Sequence, residues 1–262
     1  MTNIIPMPFS GTAAEARMAM RRREWRGVTT HQLPGWLQTN LVVLPEADAS
    51  DFLLFCQRNP KPCPIIEVTD PGNPEPRLSA PGADLRTDLA RYAVFREGNL
   101  VEEVEDITHL WRDDLVGFLI GSSLSFDDSL ERAGIPRSQV WVLDTTVPCI
   151  PAGKFAGPLV VTMRWMKPQQ AITAVQVTSR FTFAHGAPVH LGDPALIGAD
   201  LMKPLYGPPV SEIPKDVLPV FWACGVTPQR VALASRTKFM ITHVSGHAFI
   251  TDLRPDQLSA CS

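Results

Sequence analysis

No stretch of this 262-residue chain is apolar for long enough to cross a bilayer. Its longest apolar runs, Pro158 to Met163 and Val217 to Cys224, fall far short of the roughly 20 residues a spanning helix needs. Net charge is also nearly absent. The chain carries 24 Lys+Arg against 27 Asp+Glu, a net of −3, so it lacks the basic excess that marks a nucleic-acid partner. Cysteine is scarce, and Cys56, Cys63, Cys149, Cys224 and Cys261 form an odd set with no CxxC pair and no signal peptide ahead of them. That usage predicts free thiols in a reducing, cytoplasmic compartment. Neither a repeat of solenoid period nor a low-complexity tract is present. A hydrophobic fraction of 45% and a mean hydropathy of +0.02 exclude wholesale disorder.

Proline, in contrast, is abundant, with 25 residues. It ends helices and is shut out of central strands, so many short elements joined by shaped loops are expected. The pattern predicts a helix from Thr12, capped with Glu15, to about Arg26, with a solvated arginine face. It predicts a strand from Gln38 to Leu44 and a helix from Glu46 to Arg58. Pro64 to Val68 reads as a short strand, and Arg96 to Asn99 as the turn of a hairpin. Leu110 to Ile120 and Phe126 to Ala133 read as two helices separated by Gly121-Ser122-Ser123. Strands at Val140–Leu143, Leu159–Arg164, Val217–Ala223 and Phe239–His243 alternate with helices at Gln169–Val177 and Pro228–Ser235. This interleaving favours an α/β layered fold. With no linker in sight, any smaller subdomain is expected as an insertion in the middle of one unit spanning 1–262.

Six segments hold the candidate chemistry. In Phe55-Cys56-Gln57-Arg58-Asn59-Pro60-Lys61-Pro62-Cys63-Pro64, prolines fix the backbone while Arg58, Asn59 and Lys61 project donors that suit an anion. An exposed loop with solvated cations is the plainer alternative. In Ala80 to Leu89, Arg86 stands between two acids, so an ion-pair loop competes with a substrate-carboxylate role. Ser122 and Ser123 open a helix, where backbone N–H groups and the helix dipole favour an anion, or where the serines merely cap. Thr178-Ser179-Arg180 leads to His185 and His190, loop histidines suited to titrating near neutral pH. Cys224, between a strand and the Thr227-Pro228 helix start, is expected to be a low-pKa nucleophile, with a packed small hydrophobe as the alternative. The sixth segment carries His243 and His247 with Asp252 close behind. Neither histidine pair has helical HExxH spacing, so no metal site is assigned, although a divalent metal on these groups is compatible with the sequence.

The runs Phe52 to Pro64, Glu67 to Pro74, Ala80 to Leu89, Asp106 to Leu119, Pro158 to Arg164, Thr178 to Asp193, Val220 to Gln229 and Ile241 to Asp252 resemble those of the D-glutamate cyclase family. The resemblance extends from about Arg17 to Asp252. It implies a three-layer mixed α/β domain combined with a smaller two-layer α+β domain. It also implies cyclisation of D-glutamate to 5-oxo-D-proline with loss of water. The chain departs from the family pattern at Trp36, at Thr39, and between Ile135 and Cys149.

Such a reaction needs a clamp for the α-carboxylate, donors for a developing oxyanion, a base for the ammonium and an acid for the leaving oxygen. Arg58 or Arg180 is the expected clamp, with the pairs His185/His190 or His243/His247 as acid and base. Ser122 and Ser123 would form the oxyanion cradle, and Cys224 is a candidate for a thioester. The expected partner is a small acidic molecule, with no nucleic acid and no membrane, and a homo-oligomer is compatible. Two rival classes stand beside this reading: a metal-assisted amide or lactam hydrolase, and a non-catalytic amino-acid or 5-oxoproline binding module.

Overall fold

The computed structural model describes residues 9–259, so Cys261 lies outside the described residues. The first helix, α1 (Ala13–Arg21), opens on the expected capping box. Thr12 Oγ1 accepts from Glu15 N at 3.2 Å, and Glu15 Oε2 accepts from Thr12 N at 2.7 Å. The helix stops short of Arg26 because Arg23 turns left-handed at φ 64°. Its arginine face is only partly solvated: Arg22 and Arg26 are exposed, as expected, but the others are drawn in. Arg17 is buried and holds Asp252 at 2.8 Å, and Arg21 holds Asp88 at 2.7 Å, so the helix is fastened by ion pairs to both flanks of its bed.

The chain then forms β1 (Gln38–Pro45), α2 (Glu46–Arg58), β2 (Ile65–Val68), β3 (Tyr92–Arg96), β4 (Asn99–Val104) and β5 (Leu115–Gly121). There follow α3 (Leu124–Arg132), β6 (Trp141–Pro148), β7 (Pro158–Met166), α4 (Pro168–Thr178), β8 (His190–Leu191) and β9 (Leu218–Ala223). The described chain ends with α5 (Val226–Ala234), β10 (Met240–His243), β11 (Phe249–Ile250) and α6 (Pro255–Leu258). The β3–β4 hairpin forms where the sequence puts it, with Glu97 and Gly98 both at positive φ, 50° and 78°, as a tight hairpin turn demands.

Among the described residues these strands make two antiparallel sheets. The first has seven strands in the order β2-β5-β1-β10-β3-β4, with β11 also pairing β1; the second has four, β6-β7-β9-β8. The fold is therefore mixed α/β, but its interleaved helices do not cross over between parallel strands. Leu110–Ile120, expected as a helix, starts at the end of a 3-10 turn (Thr108–Leu110) and passes through a short loop into β5. Every residue of β5 is buried, because it lies between β2 and β1 with core on both faces. A strand buried on both faces loses the alternation that distinguishes it from a buried helix.

The faces of β1 show how the layers stack. Val42 and Leu44 enter a core that also holds Phe52 and Phe55 of α2, Phe118 of β5, and Val161 and Phe221 of the second sheet. Leu41 and Val43 face the opposite core with Leu85, Tyr92 and Ile241. Phe52 anchors the shared core edge-on to Phe118 at 5.0 Å and to Phe155 at 5.2 Å, a buried ring whose truncation to alanine would cost about 3–5 kcal/mol. On its outer face the second sheet packs Val220 and Trp222 against Phe126 and Leu130 of α3 and Ala171 and Ala174 of α4. All four strands of that sheet come from the chain between β5 and β10.

Candidate functional site

Gly121, the last residue of β5, is where the separated segments meet. Its N–H donates to Pro64 O at 2.8 Å, and its carbonyl accepts from Asn40 Nδ2 at 3.0 Å. The Phe183 carbonyl lies so close above it that an added Cβ would stand 1.7 Å from that oxygen, so no other residue fits. The Pro-rich exit of α2, the β5–α3 turn and the loop before His185 are thereby brought together. The Asn40 side chain lies against Gly225, where a Cβ would come within 2.1 Å of Asn40 Nδ2, and this adds the β9–α5 junction with Cys224.

His243 completes the group from the strand side. β10 pairs β1 at Val42 and Val43, and β11 takes over at Gln38 and Thr39. At the gap between them Leu41 N–H donates to His243 Nδ1 at 3.2 Å, and Gln229 Nε2 of α5 approaches the same nitrogen at 3.2 Å. A ring nitrogen that accepts carries no proton, so the imidazole proton sits on Nε2. Burial pushes the His243 pKa down to about 4, which keeps the ring neutral at physiological pH. His247 has the opposite arrangement. Its Nδ1 lies 3.0 Å from Ser245 O, which can only accept, so Nδ1 holds the proton and Nε2 has the free lone pair.

His185, left-handed at φ 78°, is buried and donates from Nδ1 to Lys61 O at 2.8 Å. Burial takes its pKa to about 4 as well, so neither His185 nor His243 titrates near neutral pH as a loop histidine was expected to. Lys61 Nζ donates to Ala187 O, and burial lowers its pKa. His190 lies apart on β8, with Nε2 against Asp193 O at 2.8 Å and its ring on Phe221 at 5.6 Å.

Cys224 stands at the helix start foreseen for it, but its pKa moves the other way. Burial raises it, outweighing the Val226 N–H and the Thr162 hydroxyl, which favour the thiolate. The remaining expected residues are largely held by their own surroundings. Asn59 donates to Phe55 O and Ile150 O and accepts from Ile150 N, all at 2.8 Å, while Arg58 donates to Pro151 O, so the two pin one loop. Arg86 grips Asp84 at 2.8 Å. Ser122 Oγ accepts from Leu124 N at 3.4 Å beside Ser123, which precedes α3. Thr178 donates to Ala174 O at 2.8 Å and accepts from Trp222 Nε1 at 3.1 Å, whereas Ser179 donates to Gln176 O and Arg180 is exposed. Among the described residues no three His, Cys, Asp or Glu side chains gather as metal ligands would.

The D-glutamate cyclase family pattern matches residues 116–252, which include the β5–α3 turn, Cys224, His243 and His247. A protein named "Putative hydro-lyase" from Geobacillus kaustophilus is 52% identical over 265 residues, covering 98% of this chain and 99% of its own. Another, from Stutzerimonas stutzeri, is 53% identical over 252 residues, covering 94% and 95%. The chain belongs to the D-glutamate cyclase family. A solved nitrogen repressor-like protein from Methanococcus jannaschii overlaps 92% of the chain and 94% of its own at 11% identity and a TM-score of 0.41, too loose a likeness to argue from.

In this cyclase-family chain several residues of the site went unnoticed in the sequence. Asn40 and Gln229 hold Gly121 and His243 in place. Arg164 of β7 and Asp127 of α3, both buried, form an ion pair at 2.6 Å, and Asp127 Oδ2 lies 3.9 Å from His31 Nδ1. The available signal was a polar residue recurring at alternate positions of an apolar strand: Gln38 and Asn40 in β1, Thr162 and Arg164 in β7.

Proposed function

We propose that the protein is a hydro-lyase that cyclises D-glutamate to 5-oxo-D-proline, with one γ-carboxyl oxygen leaving as water. The observation that supports this reading is the pair of hydrogen-bond partners, Leu41 N–H on His243 Nδ1 and Ser245 O on His247 Nδ1, which assigns the two rings opposite tautomers. Ring closure joins the amine nitrogen to the γ-carboxyl carbon. Two ammonium protons leave the nitrogen, and both end on the departing oxygen. His247, with a free Nε2 lone pair, is the base that takes a proton from the ammonium. His243, neutral with Nε2–H outward, donates a hydrogen bond to the γ-carboxyl oxygen and supports the charge that builds there. His185, locked on Lys61 O, shapes the wall of the site.

The second sheet with α3, α4 and α5 would be the smaller inserted unit of this family. Four unpaired thiols among the described residues fit a reducing, cytoplasmic setting, and no described helix is long and apolar enough to cross a membrane.

The test is to incubate purified protein with D-glutamate in ¹⁸O-water and follow label into the γ-carboxylate by mass spectrometry. Label above the uncatalysed background is expected. His243→Gln, which can still present an N–H donor, should keep part of the rate, whereas His247→Gln, which offers no base, should lose it. Absence of both exchange and 5-oxoproline with either isomer, with and without divalent metal, would sink the reading.

A further inference from the structure

Five buried side-chain atoms among the described residues have no hydrogen-bond partner, and three of them are Arg164 Nε, Thr162 Oγ1 and Gln38 Oε1. Native interiors leave few polar groups unpaired, because each gives up its hydration with no return, so a concentration of them calls for a ligand or water. Two of the three share one strand face, and the third is tied to them through α3. Thr162 and Arg164 stand two apart on one face of β7, and the Thr162 hydroxyl leans on the Cys224 thiol without completing a hydrogen bond of normal geometry. Gln38 lies at the start of β1, where its carbonyl accepts from Ser125 Oγ of α3 at 3.4 Å. α3 also supplies Asp127, which holds Arg164 Nη2 at 2.6 Å.

Arg164 is built in rather than snorkelling. It is 5% exposed, its guanidinium carbon lies 5.8 Å from the ring centroids of both Phe126 and Trp222, and Asp127 occupies one corner of its fork. The Nε–H stays free in an apolar surround, where a charged hydrogen bond is at its strongest. A guanidinium N–H and a hydroxyl next to an amide oxygen match a carboxylate next to an N–H. We propose that Arg164, with Thr162 and Gln38, binds a small α-amino acid: its carboxylate on Arg164 Nε and the Thr162 hydroxyl, an N–H on Gln38 Oε1. This replaces the exposed Arg58 and Arg180 as the carboxylate clamp, and it rests on the cyclase reading only for the identity of the amino acid. The cavity beside Gln38, lined by His31, Trp36, Ser125 and Asp128, is about 10 Å³, room for one water, so the proposed binding requires this wall to move.

The experiment separates the site from the reaction. In wild-type protein, ¹⁵N-edited NMR of arginine Nε–H groups is followed during titration with D-glutamate, 5-oxo-D-proline and, as a carboxylate lacking nitrogen, glutarate. One buried resonance, identified by its loss in Arg164→Lys, should shift on saturation with the first two ligands, and glutarate should bind more weakly. Thr162→Val removes a hydroxyl with no full protein partner, so it should fold normally and weaken binding about 10-fold. A shift at Arg164 without turnover would keep this site and overturn the cyclase reading. Turnover with no shift at Arg164, and an unchanged KM in Thr162→Val, would overturn the site and leave the reaction standing.

Discussion

Acid should destabilise this protein through two histidines before its carboxylates respond. His185 and His243 are each held neutral by burial, with pKa values near 4 against 6.5 for a free histidine. The cationic Lys61 beside His185, and His247 beside His243, oppose protonation further. Unfolding exposes both rings, so between pH 6.5 and about 4 the unfolded chain binds a proton at each that the folded chain refuses. Stability therefore rises with pH across this window; it is fully present above 6.5 and is lost as pH falls toward 4. The gap between 6.5 and about 4, at about 1.36 kcal/mol per pH unit, is worth about 3 kcal/mol for each ring and just under about 7 kcal/mol together. A domain typically has only about 5–15 kcal/mol in total. His31, whose pKa is lowered chiefly by burial, adds a contribution of the same sign. Urea titrations at pH 7.5, 6.5, 5.5 and 4.5 measure the loss directly. His185→Asn isolates one ring, since asparagine tolerates the left-handed φ of 78° and its Nδ2 can donate to Lys61 O in place of Nδ1. The variant should remove the His185 share of the pH slope, somewhat under half of it, and leave the His243 and His31 shares. A wild-type stability that stays flat from pH 6.5 to 5 would refute the claim that these rings are buried and neutral.

Gly121→Ala should destabilise the fold by several kcal/mol, about 3 or more, because the new Cβ would meet a backbone carbonyl rather than a flexible side chain. Thermal unfolding reads this, and a melting temperature unchanged from wild type would show that the 181–187 loop does not lie on β5. Cys224 should alkylate slowly with iodoacetamide at pH 8 in the folded protein and quickly in urea, because burial raises its pKa. Fast modification of native Cys224 at pH 7, located by peptide mapping, would restore the activated-thiol mechanism.

What the sequence disclosed follows from which forces are local. The capping box at Thr12 and Glu15, the turn at Glu97-Gly98 and the helices α2 and α4 are set by residues a few positions apart, and each formed where expected. β5 was misread because its run is apolar on both faces, and what makes it a strand is pairing with β1 and β2, whose residues are distant in the chain. The Arg17 and Arg21 pairings were invisible for the same reason, since their partners Asp252 and Asp88 lie far along the chain.

The site was legible in its residue types more than in its electrostatics. Cys224 occupies the predicted junction, yet its pKa is set by how completely the surrounding fold excludes water, and no local spacing reports that. Arg58, at the end of α2, and Arg180, just past the end of α4, are exposed, and there an arginine costs little to keep and therefore says little. Arg164 stands in Leu-Val-Val-Thr-Met-Arg-Trp-Met, where a charge has no solvation of its own and needs a partner for every donor it buries. Asp127 satisfies one of those donors and leaves Nε open, so the strand that hid the residue among apolar neighbours is also what gives its free N–H a reason to be there.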